Sequence, residues 1–150
     1  MIEVTGNLWT FPADVRVITT NGTVKRNGEC VMGRGCAAEA KQRWPDVPTW
    51  LGDHIKLRGN ECHVVCDANH DQWNEPFSLV AFPVKHHWMQ KADMQLIEQS
   101  ARLLVNITDA MAYNVVVMPR PGCGNGHLRW TDVRPVLVPI LDDRFHVITF

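Results

Sequence analysis

The sequence shows neither a signal-peptide pattern nor a long apolar run. The N-terminus, MIEVTGNLWTF, has neither the basic start nor the long apolar run of a signal peptide. No window approaches the ~20 consecutive apolar residues of a membrane-spanning helix, which argues against a membrane protein of that kind. Charge of one sign is missing too. Fifteen Lys+Arg against 16 Asp+Glu give a net charge of −1 with 7 His neutral. No bulk field therefore draws the chain to nucleic acid or membrane, although local basic patches stay open. Cysteine is sparse and odd in number: five, at spacings that suit no disulfide framework. That pattern implies reduced thiols in a cytoplasmic setting. Repeats, low-complexity tracts and linkers are absent, so residues 1–150 read as one domain, with a monomer as the default.

Metal-ligand spacing is absent as well. CHVVC (Cys62, His63, Cys66) stands near His70, His86 and His87, but HVVC reads as a buried strand. Residues four apart on a strand share a face and lie roughly 13 Å apart, too far for one zinc ion. The cysteines read as small core residues, and no metal site is expected.

What is present is an alternation of strands and helices. Val15–Thr20 (VRVITT) and Asn114–Pro119 (NVVVMP) are continuous apolar or β-branched runs, as expected of strands buried on both faces. MIEVTGNL opens with a short strand, SLVAFPV is a strand ended by Pro83, and FHVITF closes the chain as another. DHIKL and CHVVCD read as two further strands after a loop holding Pro45 and Pro48. MGRGCAAEAKQRW passes from glycines into good helix formers. Ala92–Tyr113 carries Leu96, Ile97, Leu103, Leu104, Ile107 and Met111 at three- and four-residue spacing, the mark of an amphipathic helix. A last helix begins near Thr131, tolerating Pro135 near its start and shortened or kinked by Pro139. Such strands are too apolar for a one-faced sheet and predict a three-layer α/β/α domain.

Ligands in such domains bind beyond the carboxyl ends of the strands, where both glycine-rich segments fall. ITTNG…VMGRG follows the Val15 strand, and MPRPGCGNG follows the Asn114 strand. Glycine lets the backbone approach a ligand closely, and successive N–H groups then form an anion-holding concavity. In VMGRGCAAEA the loop runs straight into a helix N-terminus, where phosphate is favoured. Two such loops suit a diphosphate gripped from both sides. The phosphate-loop motif G-x-x-x-x-G-K-[ST] is missing, and GRGCAAE lacks the third glycine of the dinucleotide fingerprint. Plain turn chemistry remains the bland alternative.

Taken together, GNLW, ITTNG…GECVMGRGCAAEAKQRWP, FPVKHHW and RPGCGNGHLRWTDVRP resemble a macro domain across essentially the whole chain. The likeness is to the branch of the terminal ADP-ribose glycohydrolases and the DNA ADP-ribosyl glycohydrolase antitoxins. It implies a three-layer sandwich around a mixed, largely parallel sheet of about six strands. It also implies ADP-ribose or an ADP-ribosylated macromolecule as partner, nucleic acid included, and no cofactor. Val31, Met32, Gly33, Gly35 and Cys36 match the diphosphate-binding loop. Gly122, Cys123, Gly124, Asn125, Gly126 and His127 match the loop that wraps diphosphate and distal ribose. Asn7 stands where many members hold adenine with an aspartate, and its amide oxygen accepts the same bond without charge. Leu8 supplies apolar cover or core packing, and either Asn21 or Asn27 matches the ribose-contacting asparagine.

Lys85, in FPVKHHW, matches the lysine this branch uses to cleave ADP-ribose from its substrates. A lysine at the mouth of a partly apolar site can attack or polarise C1″, or stabilise departing charge. Some glycohydrolases of the branch place an aspartate where this chain has Gly126, so a lysine-centred mechanism survives and one needing that acid does not. His86, His87 and His127 are candidates for acid–base help. The resemblance thus implies hydrolysis of an ADP-ribosyl bond on DNA or protein. A non-catalytic reader of ADP-ribose and a phosphatase acting on ADP-ribose 1″-phosphate are the alternatives.

Overall fold

A computed structural model describes residues 1–149. Six strands form one sheet: β1 (Ile2–Thr5), β2 (Val15–Asn21), β3 (His63–Cys66), β4 (Ser78–Lys85), β5 (Val116–Pro119) and β6 (Phe145–Thr149). Their spatial order is β1-β6-β5-β2-β4-β3. Every neighbouring pair among the described residues is parallel except β3 with β4. Four helices cover it: α1 (Gly35–Arg43), α2 (Val47–Arg58), α3 (Met94–Met111) and α4 (Trp130–Leu137).

The alternation of side chains along each strand sorts the apolar residues into two cores. Val17, Val80, Phe82, Val116, Met118 and Val147 face α3 and α4, packing on Ile97, Ala101, Leu104, Val133 and Leu137. Ile18, Leu79, Ala81, Val117 and Ile148 face α1 and α2, packing on Ala37, Ala40, Val47 and Leu51. The three-layer α/β/α sandwich is thus borne out, and its two-sided burial explains why β2 and β5 read as unbroken apolar runs. Helix α3 is fixed at both ends. Asp93 caps it by accepting from Gln95 N at 2.9 Å, and Ala112 ends it in the left-handed conformation, φ 55°. Ser100 Oγ donates to Pro83 O at 2.7 Å, tying the helix to β4.

Three sequence expectations are corrected. DHIKL is the second half of α2, not a strand. Val47, Leu51 and Ile55 recur every four residues, Pro48 sits in the first turn where its missing N–H is harmless, and Gly59 N closes the helix on Ile55 O at 2.8 Å. Pro83 does not end β4, which runs on to Lys85. Pairing with β3 begins at Ala81, so Pro83 lies where β2 alone supplies the ladder among the described residues. Cys62 and Cys66 do not share a face. The register slips between Val64 and Cys66, so Cys62 enters the α3/α4 core and Cys66 the α1/α2 core. Both are free thiols and nearly fully buried.

Leu104 is fully buried at the centre of the α3 stripe. Leu104→Ala should lower stability by about 2–5 kcal/mol in urea unfolding, through lost transfer energy and the cavity left behind. A loss under about 1 kcal/mol would mean that α3 does not seat on the sheet as described.

Candidate functional site

The parallel strands β2, β4, β5 and β6 all end at one edge of the sheet, and there the molecule opens into a cavity of about 1680 Å³. Its walls are the loop from β2 to α1, the loop from β4 to α3 and the loop from β5 to α4. Asn21, Val31, Met32, Gly33, Gly35, Cys36, Lys85 and residues 122–127 all line it.

The first loop is held by its own polar groups. Asn21 spends its side chain on it, donating from Nδ2 to Val31 O and accepting at Oδ1 from Thr23 N, both at 2.9 Å. The chain then turns into α1 through Gly35 at φ +61°, a left-handed conformation that suits glycine. Arg34 precedes it in extended conformation and offers no side-chain cap. The first-turn amides of α1 therefore face the cavity uncapped, where an anion satisfies them. Cys36 sits at this turn with Sγ 3.4 Å from both Thr19 N and Thr19 Oγ1, and burial pushes its thiol up from the usual range. The thiolate needed of a nucleophile is thus disfavoured.

The second loop folds on itself. Leu128 N donates to Gly122 O at 2.9 Å and His127 N to Gly124 O at 3.1 Å, with Gly122 and His127 both in the left-handed region. Gly126 is required by crowding. A Cβ there would lie 2.6 Å from Gly122 O and 2.8 Å from Ala92 Cβ. An acid cannot occupy position 126 without rebuilding the loop. Gly124 is the opposite case, with no atom within 4 Å of where its Cβ would be. The loops also touch one another. Ala92 N, from the β4–α3 loop, donates to Gly126 O at 3.0 Å, and Asn125 Nδ2 comes within 3.2 Å of a Cβ built on Gly35.

Lys85 stands at the end of β4. Its carbonyl accepts from Asn60 Nδ2 at 2.9 Å, and its Nζ donates to Trp88 O at 3.4 Å. Burial and, after it, the charge of Arg34 hold the ammonium below the usual lysine range. Of the histidines, only His127 lines the cavity. His86 Nε2 instead meets Asp93 Oδ2 at 2.7 Å, and His87 Nδ1 accepts from Met89 N at 3.2 Å.

Asn7 and Leu8 lie elsewhere. They line an adjoining cleft of about 470 Å³ with Trp9, Gln42 and Arg43, and Glu39 belongs to both walls. The Asn7 side-chain oxygen already accepts from Trp9 N at 2.8 Å. The Leu8 side chain is buried in the α1/α2 core, so core packing is its role here. Asn27 is exposed, turns its side chain onto Glu29 N at 3.0 Å, and does not line the cavity. Thr19, Arg34, Trp88, Met89, Arg120 and Thr149, which no sequence pattern singles out, also line it. Only their place as strand residues at the carboxyl edge marks Thr19 and Thr149.

A mixed six-stranded sheet between two helical layers, with paired glycine loops over its carboxyl edge, defines the class: the chain has the macro-domain fold. Within it the likeness runs to the macrodomain of Mycobacterium tuberculosis DarG, 28% identical with a TM-score of 0.81 over 98% of this chain and 95% of that one. Among curated proteins, the DNA ADP-ribosyl glycohydrolase of Mycobacterium tuberculosis is 29% identical over 108 residues, 72% of this chain and 31% of that protein. The DNA ADP-ribosyl transferase–DNA ADP-ribosyl glycohydrolase fusion protein of Thermosipho africanus is 27% identical over 135 residues, 77% of this chain and 34% of that protein. The chain thus spans about a third of the length of these curated relatives. No family model matches it.

Gly126→Asp should destabilise the protein by about 1–3 kcal/mol through overpacking against Gly122 and Ala92. Thermal unfolding measures this, and an unchanged melting temperature would mean that the loop has room for an acid.

Proposed function

We propose that the protein binds ADP-ribose in the large cavity and hydrolyses the bond joining its distal ribose to a nucleotide of DNA. The observation that carries this reading is Lys85, its ammonium below the ordinary lysine range, at the wall of a cavity flanked by two amide-bearing loops. The uncapped first turn of α1 and the Gly122–His127 loop hold the diphosphate, and Asn7 and Trp9 in the adjoining cleft face the adenine end. Asn21, with its amide spent on Val31 and Thr23, shapes the ribose wall.

In this reading the unprotonated Lys85 amine attacks C1″. The acceptor departs with the bonding electron pair and takes up a proton, and water then frees ADP-ribose from the lysine. A DNA acceptor is supported by the names of the curated relatives, DNA ADP-ribosyl glycohydrolases. The five unpaired thiols support a cytoplasmic setting, and the chain is taken to act as a monomer. The reader alternative rests on one observation, the crowding that keeps an acid out of position 126.

Calorimetric titration with ADP-ribose tests the shared pocket, and no binding at millimolar ligand would end both readings. Gly124→Glu, which points a side chain and a negative charge into open space, should fold normally and abolish that binding. Lys85→Ala should keep the binding and slow release of ADP-ribose from modified DNA roughly 100-fold or more. Binding without release by the wild type would leave the reader. The release rate should climb with pH as the amine deprotonates and level off below the ordinary lysine value of about 10.4.

A further inference from the structure

The loop from β4 to α3 carries two large apolar side chains that the proposed chemistry does not use. Trp88 is 46% exposed and Met89 73% exposed, and both line the cavity. Their loop is nonetheless held in place. Trp88 N donates to Thr23 Oγ1 at 3.0 Å, Trp88 O accepts from Lys85, and Gln90 N donates to His87 O at 3.0 Å. The indole leans on the His87 ring, with centroids 6.1 Å apart and planes at 30°, and it stays half open to solvent. Aromatic surface presented in a fixed orientation costs little entropy to engage, and every nucleobase offers it a complementary face.

The charge around the cavity points the same way. Lys25, Arg34, Lys85, Arg120 and Arg129 line it against, among the described residues, the carboxylate of Glu39, with Arg129 paired to Asp132 at 3.1 Å and Arg120 standing 4.0 Å from Glu3. The chain as a whole has 15 basic and 16 acidic residues, so this surplus is local. The diphosphate of ADP-ribose answers only part of it. Arg34 is exposed, Lys25 meets only the surface carboxylate of Glu29 at 3.5 Å, and both stand on the loop that Trp88 N is bonded to. A base inside a duplex is out of reach for chemistry on it, so a modified base has to be presented out of the stack.

We infer that Trp88, backed by His87, is a stacking platform for the base next to the modified nucleotide of a single-stranded nucleic acid, with Lys25 and Arg34 receiving the flanking phosphates. This rests on the ADP-ribosyl hydrolase reading and names its substrate as a strand, not an isolated nucleotide or a protein side chain. The platform sets specificity, leaving the reacting atoms to Lys85.

The test uses Lys85→Gln, which suppresses turnover while keeping a donor for the Trp88 carbonyl. Its affinities are measured for free ADP-ribose, an ADP-ribosylated mononucleotide, a single-stranded oligonucleotide carrying one such nucleotide internally, and an ADP-ribosylated peptide. The oligonucleotide should bind about 10-fold tighter than the mononucleotide. Adding Trp88→Ala should remove most of that ratio, and Trp88→Phe should retain it. A ratio near one, a ratio that survives Trp88→Ala, or the same advantage for the peptide would each overturn the platform. Failure of the free ADP-ribose arm would remove the cavity reading and the platform with it. ADP-ribose bound without a length advantage would remove the platform alone.

Discussion

Hydrogen bonding of β2 between β4 and β5, under helices on both faces, leaves the sheet no open face for a ligand. The carboxyl ends of the parallel strands are where backbone leaves the ladder with its polar groups still to be satisfied. β2, β4 and β5 finish together and deliver the two glycine loops and Lys85 to one place. The cavity is a consequence of strand direction before it is a matter of particular side chains. Its character follows from what meets there: amides from two loops, and an amine from the end of β4.

Within that arrangement the second loop is specified by crowding. The Gly122 carbonyl and Ala92 Cβ press on position 126 so closely that its lack of a carboxylate is a matter of shape. A carboxylate is thus kept out of position 126, and Lys85, at the end of β4, is a titratable group that the fold brings to the same cavity. Arg34 contributes from the opposite loop, lowering the cost of keeping the Lys85 amine neutral.

Legibility in the sequence tracks the physical demand on each residue. Strands β2 and β5 were readable because burial on both faces forces unbroken apolar runs, and the loops because close approach and left-handed turns demand glycine. Helix α2 was not, because DHIKL looks strand-like over five residues and its four-residue period shows only from Val47. The bulge in β3 was invisible, since register depends on the partner strand and not on HVVC itself. Trp88 and Arg34 escaped notice because exposed loop residues carry no periodicity, and only the fold brings them to the cavity. Leu8 shows the reverse, a residue in a recognisable segment whose side chain serves the core.

The bond from Ala92 N to Gly126 O joins the loop that follows Lys85 to the Gly122–His127 loop before any ligand arrives. The cavity needs no closing motion to assemble, so binding costs little reorganisation. The same rigidity has another side. On the proposed chemistry, cleavage changes only the C1″ end, and every amide that gripped the substrate grips the released ADP-ribose equally well. A preformed cradle of this kind is inhibited by its own product, and its throughput is tied to how quickly the surroundings clear free ADP-ribose.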